Sequence, residues 1–186
     1  MRKYIRIVGG QYRRTLIDVP DVPGLRPTPD RVRETLFNWL THLWQDDFAD
    51  KQVLDLFAGS GALGFEAASR GVAHVQMVES SPPAVVALRQ LRDKLSANAV
   101  RIHAGQAKQA LSRLDNAKFD LVCLDPPFGA GWFPGLLIDI QPLLKPQALV
   151  YAESENAFTA PEGYIALRQG RAGAVHYQLF QRKATT

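Results

Sequence analysis

Two short motifs bring together residue types whose spacing suits chemistry on a nucleotide. Asp55-Leu56-Phe57-Ala58-Gly59-Ser60-Gly61-Ala62-Leu63-Gly64 leads from a β-type run into a helical one, and its glycines permit a tight turn with the backbone close to a ligand. The Gly-x-Gly-x-x-Gly spacing fits a dinucleotide fold equally well, and a merely structural turn too. Glu79, at the end of the next β-type run, sharpens the reading because a carboxylate there can accept hydrogen bonds from both hydroxyls of an adenosyl ribose.

The second motif is Asp125-Pro126-Pro127-Phe128, at the end of the fourth strand of the expected sheet. In a doubly wound sheet the chain order reverses between the first and fourth strands, so this segment faces the ligand crevice opposite the glycine loop. A proline-stiffened strand exit is the plain alternative. The chemistry gives each group a task. An exocyclic amine on a nucleobase is a poor nucleophile because its lone pair is delocalised into the ring. Two acceptors, the Asp125 carboxylate and the Pro126 carbonyl, can bind the amine hydrogens, aim the lone pair at an electrophilic methyl and stabilise the developing positive charge. The prolines restrict the backbone so that the carbonyl keeps its direction, and Phe128 can stack on a base taken out of its helix.

These residues need a sheet to position them. From about residue 50 the chain alternates short β-type runs (53–57, 74–79, 99–104, 119–125, 148–153, 164–168 and 174–182) with helical stretches (62–70, 82–96, 107–114 and 133–144). That alternation predicts βαβ units and a parallel sheet. Ser81 before Pro82 predicts a helix start with a hydroxyl cap and a proline in the first turn. Only residues 169–173 separate the last two strands, too few for a parallel crossover, so they must form an antiparallel hairpin. Upstream, Ile5, Ile7, Tyr12, Leu16, Ile17 and Val19, broken by Gly9 and Gly10, predict a small hairpin. A proline-rich loop follows, and then a helix over 29–43 whose Val32, Leu36, Leu40 and Leu43 make one apolar stripe.

The chain has 186 residues, 46% of them hydrophobic and 22% charged, which predicts a single globular domain. No run approaches the roughly 18 uncharged apolar residues of a membrane helix. Residues 1–14 lack a continuous signal-peptide core, and the single cysteine, Cys123, excludes an internal disulfide; the cytoplasm is the expected compartment. The formal net charge is +4, and all of the excess lies in residues 1–40, where eight Lys and Arg meet four Asp and Glu. A basic patch on a neutral body suits a polyanion, although a solvated terminus has the same composition. His42, His74, His103 and His176 are scattered without metal-ligand spacing, and no metal is expected. Phe37, Trp39 and Trp44 read as packing, Cys123 as buried and inert, and Glu153 and Glu155 either line the site mouth or end a solvated strand.

Asp55-x-Phe57-x-Gly59-x-Gly61 together with Asp125-Pro126-Pro127-Phe128 resembles the S-adenosylmethionine-dependent amino-methyltransferases of nucleic acids. Ile5-Arg6-Ile7-Val8-Gly9-Gly10, Leu25-Arg26-Pro27-Thr28 and Arg31-Val32-Arg33-Glu34-Thr35-Leu36-Phe37 narrow the resemblance to the bacterial RsmD-type family, which methylates N2 of a guanine in 16S rRNA. It extends through Tyr151-Ala152-Glu153-Ser154-Glu155 to the closing strand with Tyr177. It implies a Rossmann-like α/β fold with a seven-stranded mixed sheet, order 3-2-1-4-5-7-6 counted within the core, and an N-terminal β-hairpin and helix. Residues 1–45 would then be a basic extension packed on a catalytic core, 46–186.

With the resemblance, Thr28, Asp55, Ala58, Gly59, Gly61, Glu79, Gln106 and Asp125 are expected around S-adenosyl-L-methionine; the amine chemistry assigns Asp125, Pro126 and Phe128 to catalysis, and the charge distribution assigns Arg2, Lys3, Arg6, Arg13, Arg14 and Arg26 to RNA. Gln106 stands where such enzymes often carry Asp or Asn beside the adenine amine, and Arg13-Arg14-Thr15 replaces the family's usual Arg-Gly-Arg. Transfer would be a direct in-line displacement with neither metal nor covalent enzyme intermediate. The expected partner is 16S rRNA, within an assembled or assembling small subunit, met by a monomer that needs no protein partner. An adenine-N6 DNA methyltransferase shares the Asp-Pro-Pro-aromatic logic but usually needs a target-recognition segment for which this chain has no room. A protein-glutamine methyltransferase would carry Asn at 125, and a dinucleotide oxidoreductase would need a second catalytic region. A non-catalytic RNA-binding module on the same fold would lack cofactor binding or turnover.

Overall fold

Alternation of side chains along the strands sorts the core onto the two faces of one sheet. The computed structural model describes residues 3–114, 118–129 and 131–184. The strands of the sheet are β3 (Gln52–Asp55), β4 (His74–Glu79), β5 (Val100–Ala104), β6 (Phe119–Leu124), β7 (Leu144–Ser154), β8 (Tyr164–Ala172) and β9 (Val175–Arg182), in the order β5-β4-β3-β6-β7-β9-β8. This is the expected order. The sheet is parallel from β5 to β7, and β9 runs antiparallel between β7 and β8.

Val53, Val75, Leu121, Cys123, Leu149 and Tyr151 point to one face, where they meet the helices α1 (Asp30–Leu43), α2 (Ala62–Ser69) and α3 (Pro82–Leu95). Leu54, Val122, Leu124, Val150 and Ala152 point to the other, against α4 (Ala107–Arg113) and α5 (Gly135–Asp139). Both faces are thus covered, as a parallel sheet requires. No helix among the described residues is long and apolar enough to cross a membrane.

Three local expectations are corrected. The stretch 133–144 is not one helix: α5 stops at Asp139 and a 3₁₀ turn, Gln141–Leu143, follows. Pro142 has no N–H to give to the carbonyl four residues back, which breaks the α-helical ladder. The Ser81 hydroxyl makes no cap bond to α3. Pro82 and Pro83 remove two of the first N–H groups that such a cap serves, and the Ser81 N–H donates instead to Glu79 Oε1 at 2.7 Å. Finally, β7 begins at Leu144 and not 148, carried across Pro146 by a register irregularity near the start of its pairing with β6.

The N-terminal hairpin, β1 (Lys3–Arg6) with β2 (Leu16–Val19), buries Ile7, Ile17 and Val19 and docks on α2. Its anchor is Glu66, which is fully buried and accepts the N–H of Val8 and of Gly9, each at 2.8 Å, and the Arg70 guanidinium at 3.1 Å. Ser69 adds a second grip, accepting the Tyr12 N–H on its hydroxyl at 2.8 Å and the Gln11 N–H on its carbonyl at 2.7 Å. Gly10, at φ 73°, lies so close to α2 that a Cβ there would stand 1.9 Å from the Ser69 carbonyl oxygen. Arg33, also fully buried, donates to the Arg6 carbonyl at 2.7 Å and to Asp30 at 2.5 Å. Arg14 occupies the left-handed region at φ 71°, the conformation that explains the glycine usual at this position in the resembled family.

Replacing Glu66 with alanine strands two partly buried N–H groups and leaves Arg33 and Arg70 without a buried counter-charge. The expected cost is about 3–5 kcal/mol in urea unfolding, with the hairpin becoming the first segment cut by a protease. A loss below about 1 kcal/mol would refute the anchoring role.

Candidate active site at the carboxyl ends of the parallel strands

The strand order reverses between β3 and β6, and there the sheet opens into a cavity of about 760 Å³. Its floor is the turn from β3 into α2. Gly61 caps that helix at φ 81°, and a Cβ there would come within 2.5 Å of Leu88, so only glycine fits. Gly61 itself sits behind the wall, while Ala58, Gly59 and Ser60 line it. The turn is tied to its neighbours by carboxylates. Asp55 Oδ2 accepts the Gly64 N–H at 3.0 Å, and Glu79 accepts the Gly59 N–H at 2.7 Å on one oxygen and the Ser81 N–H at 2.7 Å on the other.

The opposite wall comes from β6, β7 and the segment between the hairpin and α1. Leu124 lies beside Ala152 in the parallel register, so the next residues, Asp125 and Glu153, stand side by side at the strand ends. Pro126 is buried, and Phe128 is 36% exposed, with the Arg26 guanidinium 5.7 Å above its ring. Thr28 is buried; its hydroxyl donates to Glu153 Oε1 at 2.7 Å, and the Tyr151 hydroxyl donates to the same oxygen at 2.9 Å. At the far end Gln106, exposed at the start of α4, lines the cavity beside Trp132, whose ring meets Phe57 edge-on at 5.2 Å and lies under Lys108.

Asp55, Asp125 and Glu153 share one low-dielectric space. Burial, with the charges of Glu79 and Glu153, raises the Asp55 carboxyl to about 7 against the N–H bonds of Gly64 and Phe57. Burial raises Asp125 well above the ordinary carboxylate range; Glu153 and Asp55 add to the rise, and Arg26 opposes it. Glu153 is raised by burial, against the two hydroxyls that donate to it. Cys123 is buried, and its thiol is pushed well up by burial and by the same acids, so it stays protonated. Such a cavity suits a ligand that carries positive charge.

Of the expected residues, Thr28, Asp55, Ala58, Gly59, Glu79, Gln106, Asp125, Pro126, Phe128 and Arg26 meet on this one cavity. Lys3, Arg6, Arg13 and Arg14 are exposed on the hairpin, with Arg6 held by Asp30 at 3.0 Å, and Arg2 lies outside the described residues. Sequence reasoning left Glu153 undecided between the site and solvent, and it is 4% exposed on the cavity wall. The available signal was strand alternation, which puts it on the same face as Tyr151, Cys123 and Asp55. Trp132 carried no signal of its own. Phe37, Trp39 and Trp44 pack as expected, Trp39 against Tyr177 at 5.7 Å and Trp44 against Phe48 at 5.2 Å.

A doubly wound sheet with a glycine loop and an Asp-Pro-Pro-Phe segment on one crevice defines a Rossmann-like methyltransferase of the α/β class. The chain belongs to the family described as conserved hypothetical protein 95, which matches residues 5–181, and the resemblance to the RsmD-type enzymes holds. It is 42% identical to ribosomal RNA small subunit methyltransferase D of Escherichia coli (strain K12), over 97% of this chain and 91% of that protein. The protein of the same name from Haemophilus influenzae is 37% identical, over 95% of this chain and 93% of the relative. The solved structure of the putative methyltransferase yhhF from Escherichia coli matches with a TM-score of 0.84 at 40% identity, covering 98% of this chain and 100% of that one.

The raised Asp55 makes a stability prediction. Between about 3.9, the unfolded value, and about 7, the folded chain holds a proton that the unfolded chain has released, so stability falls as pH rises through this window. Above it the cost of burying the charge is complete. Asp55→Asn keeps an acceptor for Gly64 and is expected to stabilise the protein at pH 8 by on the order of 4 kcal/mol, with a smaller gain at pH 5. Urea unfolding at both pH values checks this, and a pH-independent gain would be inconsistent with it.

Proposed function

We propose that the protein methylates the exocyclic N2 amine of a guanine in the 16S rRNA of the small ribosomal subunit, using S-adenosyl-L-methionine. One observation carries the reading: Asp125-Pro126-Pro127-Phe128 opens onto the same cavity as the glycine loop, so a base amine and a nucleoside cofactor can meet there. The relatives' printed activity supports the substrate class.

The cavity fits the cofactor by volume and by charge, since its acids suit a sulfonium and an α-ammonium group. When bound, S-adenosylmethionine supplies an electrophilic methyl on positively charged sulfur. Asp55 and the Ala58-Gly59-Ser60 backbone would hold its methionine part, Glu79 its ribose, and Gln106 with Trp132 its adenine end. On the target side, Phe128 and Arg26 stack the extruded base, and the Asp125 carboxylate and Pro126 carbonyl take the amine hydrogens. With the amine lone pair aimed at the methyl, Asp125 would balance the charge that develops on nitrogen during transfer and receive the amine proton. Residues 1–45 serve as an RNA-facing extension of the catalytic core, 46–186, and the protein works as a monomer where ribosomes are assembled, in the cytoplasm.

The test offers labelled S-adenosylmethionine with small subunits lacking the modification, deproteinised RNA or DNA, followed by digestion to nucleosides. N2-methylguanosine is expected, with subunits the better substrate, and N6-methyladenine would replace this reading with the adenine one. Asp125→Ala is expected to lower turnover by about 10²–10³-fold with cofactor affinity within a few fold, and retained turnover would remove Asp125 from the amine.

The basic arm gives a separate prediction. Replacing Lys3, Arg13 and Arg14 with alanine should weaken subunit binding and flatten its dependence on salt by about 0.7–0.9 per lost phosphate contact, leaving cofactor affinity unchanged. An unaltered salt slope would make the arm a solvated terminus.

A further inference from the structure

Glu153 is the one acid of the cavity that the chemistry above does not use. Both hydroxyls that reach it, those of Thr28 and Tyr151, donate to Oε1, and no group among the described residues donates to Oε2. The side chain is almost wholly buried, yet it lines the cavity, which leaves Oε2 as the acceptor open to a ligand. Register puts it beside Asp125 at the end of the neighbouring parallel strand, and neighbouring strands lie about 4.8 Å apart.

Two acceptors side by side match one feature of guanine. Its Watson–Crick edge carries adjacent donors, the N1–H and the N2 amine. A base with unprotonated N1 turns a lone pair toward the same place. We propose that Glu153 Oε2 accepts the N1–H of the target guanine while Asp125 holds the N2 amine, so that Glu153 sets the choice of base; this rests on the guanine-N2 reading above. A purine that keeps the N2 amine but lacks the N1 proton, 2,6-diaminopurine, would face the carboxylate with a lone pair and be rejected, as a site built around one hydrogen bond rejects an analogue that cannot make it.

The hydroxyl pair makes the idea testable in both directions. In Glu153→Gln the amide carbonyl takes the Oε1 position, where Thr28 and Tyr151 donate, which turns the amide NH₂ toward the cavity. That donor opposes the guanine N1–H and suits the diaminopurine N1. Small subunits are reconstituted with either guanine or 2,6-diaminopurine at the methylated nucleotide, and kcat/KM is measured for each. The wild type is expected to prefer guanine by about 100-fold or more, and Glu153→Gln to cut that ratio at least tenfold.

A Glu153→Gln ratio equal to that of the wild type overturns the proposal. So does a loss of S-adenosylmethionine affinity with the ratio unchanged, which would put Glu153 on the cofactor. Glu153→Asp, which withdraws the acceptor by one methylene, serves if the glutamine variant does not fold: it should lower kcat/KM on guanine more than tenfold with cofactor affinity within a few fold. Wild-type kcat/KM there also overturns the proposal. If wild-type enzyme forms no N2-methylguanosine on the guanine particles, the underlying reading fails; if it does and the ratio stays put, only the role of Glu153 fails.

Discussion

A carboxylate taken out of water must be given donors, and in this chain Glu66, Glu79, Asp55 and Glu153 take them from turns and segments that they thereby tie down. Glu66 draws them from the Val8 and Gly9 backbone, Glu79 from Gly59 and Ser81, Asp55 from Gly64, and Glu153 from Thr28 and Tyr151. Each of these bonds fixes one join: hairpin to α2, glycine loop to α3, β3 to α2, and the proline-rich segment to β7. The architecture of the cavity is therefore a set of solutions to one desolvation problem. The solution at the site is incomplete, since Asp55, Asp125 and Glu153 remain raised above their ordinary values, and that residual cost is what a cationic ligand can relieve.

The segment between hairpin and α1 works as a wall. Pro20, Pro23, Pro27 and Pro29 limit its conformations, so the buried Thr28 hydroxyl and the Arg26 guanidinium over Phe128 are held at little further cost in backbone entropy. The segment that leads from the hairpin into α1 is consequently part of the cavity wall.

The sheet order was legible through the family resemblance, and the antiparallel end because it follows from connection length. The span His74–Glu79 agrees with its apolar alternation to the residue, and a two-residue turn at Gly173 and Ala174 joins the last two strands. The glycine loop and Asp-Pro-Pro-Phe motif were legible because short motifs carry their own geometry. The rest depended on partners far along the chain. Arg33 and Glu66 carry no local signal of their roles: Glu66 takes its donors from a hairpin 57–58 residues away, and Arg33 gives its own to the Arg6 carbonyl 27 residues away. Glu153 is in the same case, with its Thr28 donor 125 residues away. At Pro142 the apolar spacing of Leu136, Leu137, Ile140, Leu143 and Leu144 argued for a continuous helix, and the missing N–H prevailed.

The bond from Thr28 to Glu153 also sets a timetable. During synthesis the basic hairpin leaves the ribosome before its anchor, Glu66, and before the last acid of the crevice, Glu153. Because parallel pairing and long loop closures are slow and the wall cannot seat before β7 pairs, the nascent chain carries an exposed cationic arm without a finished crevice until most of it has been made. A newly made molecule therefore shows its basic arm to solvent before the crevice beside it is closed.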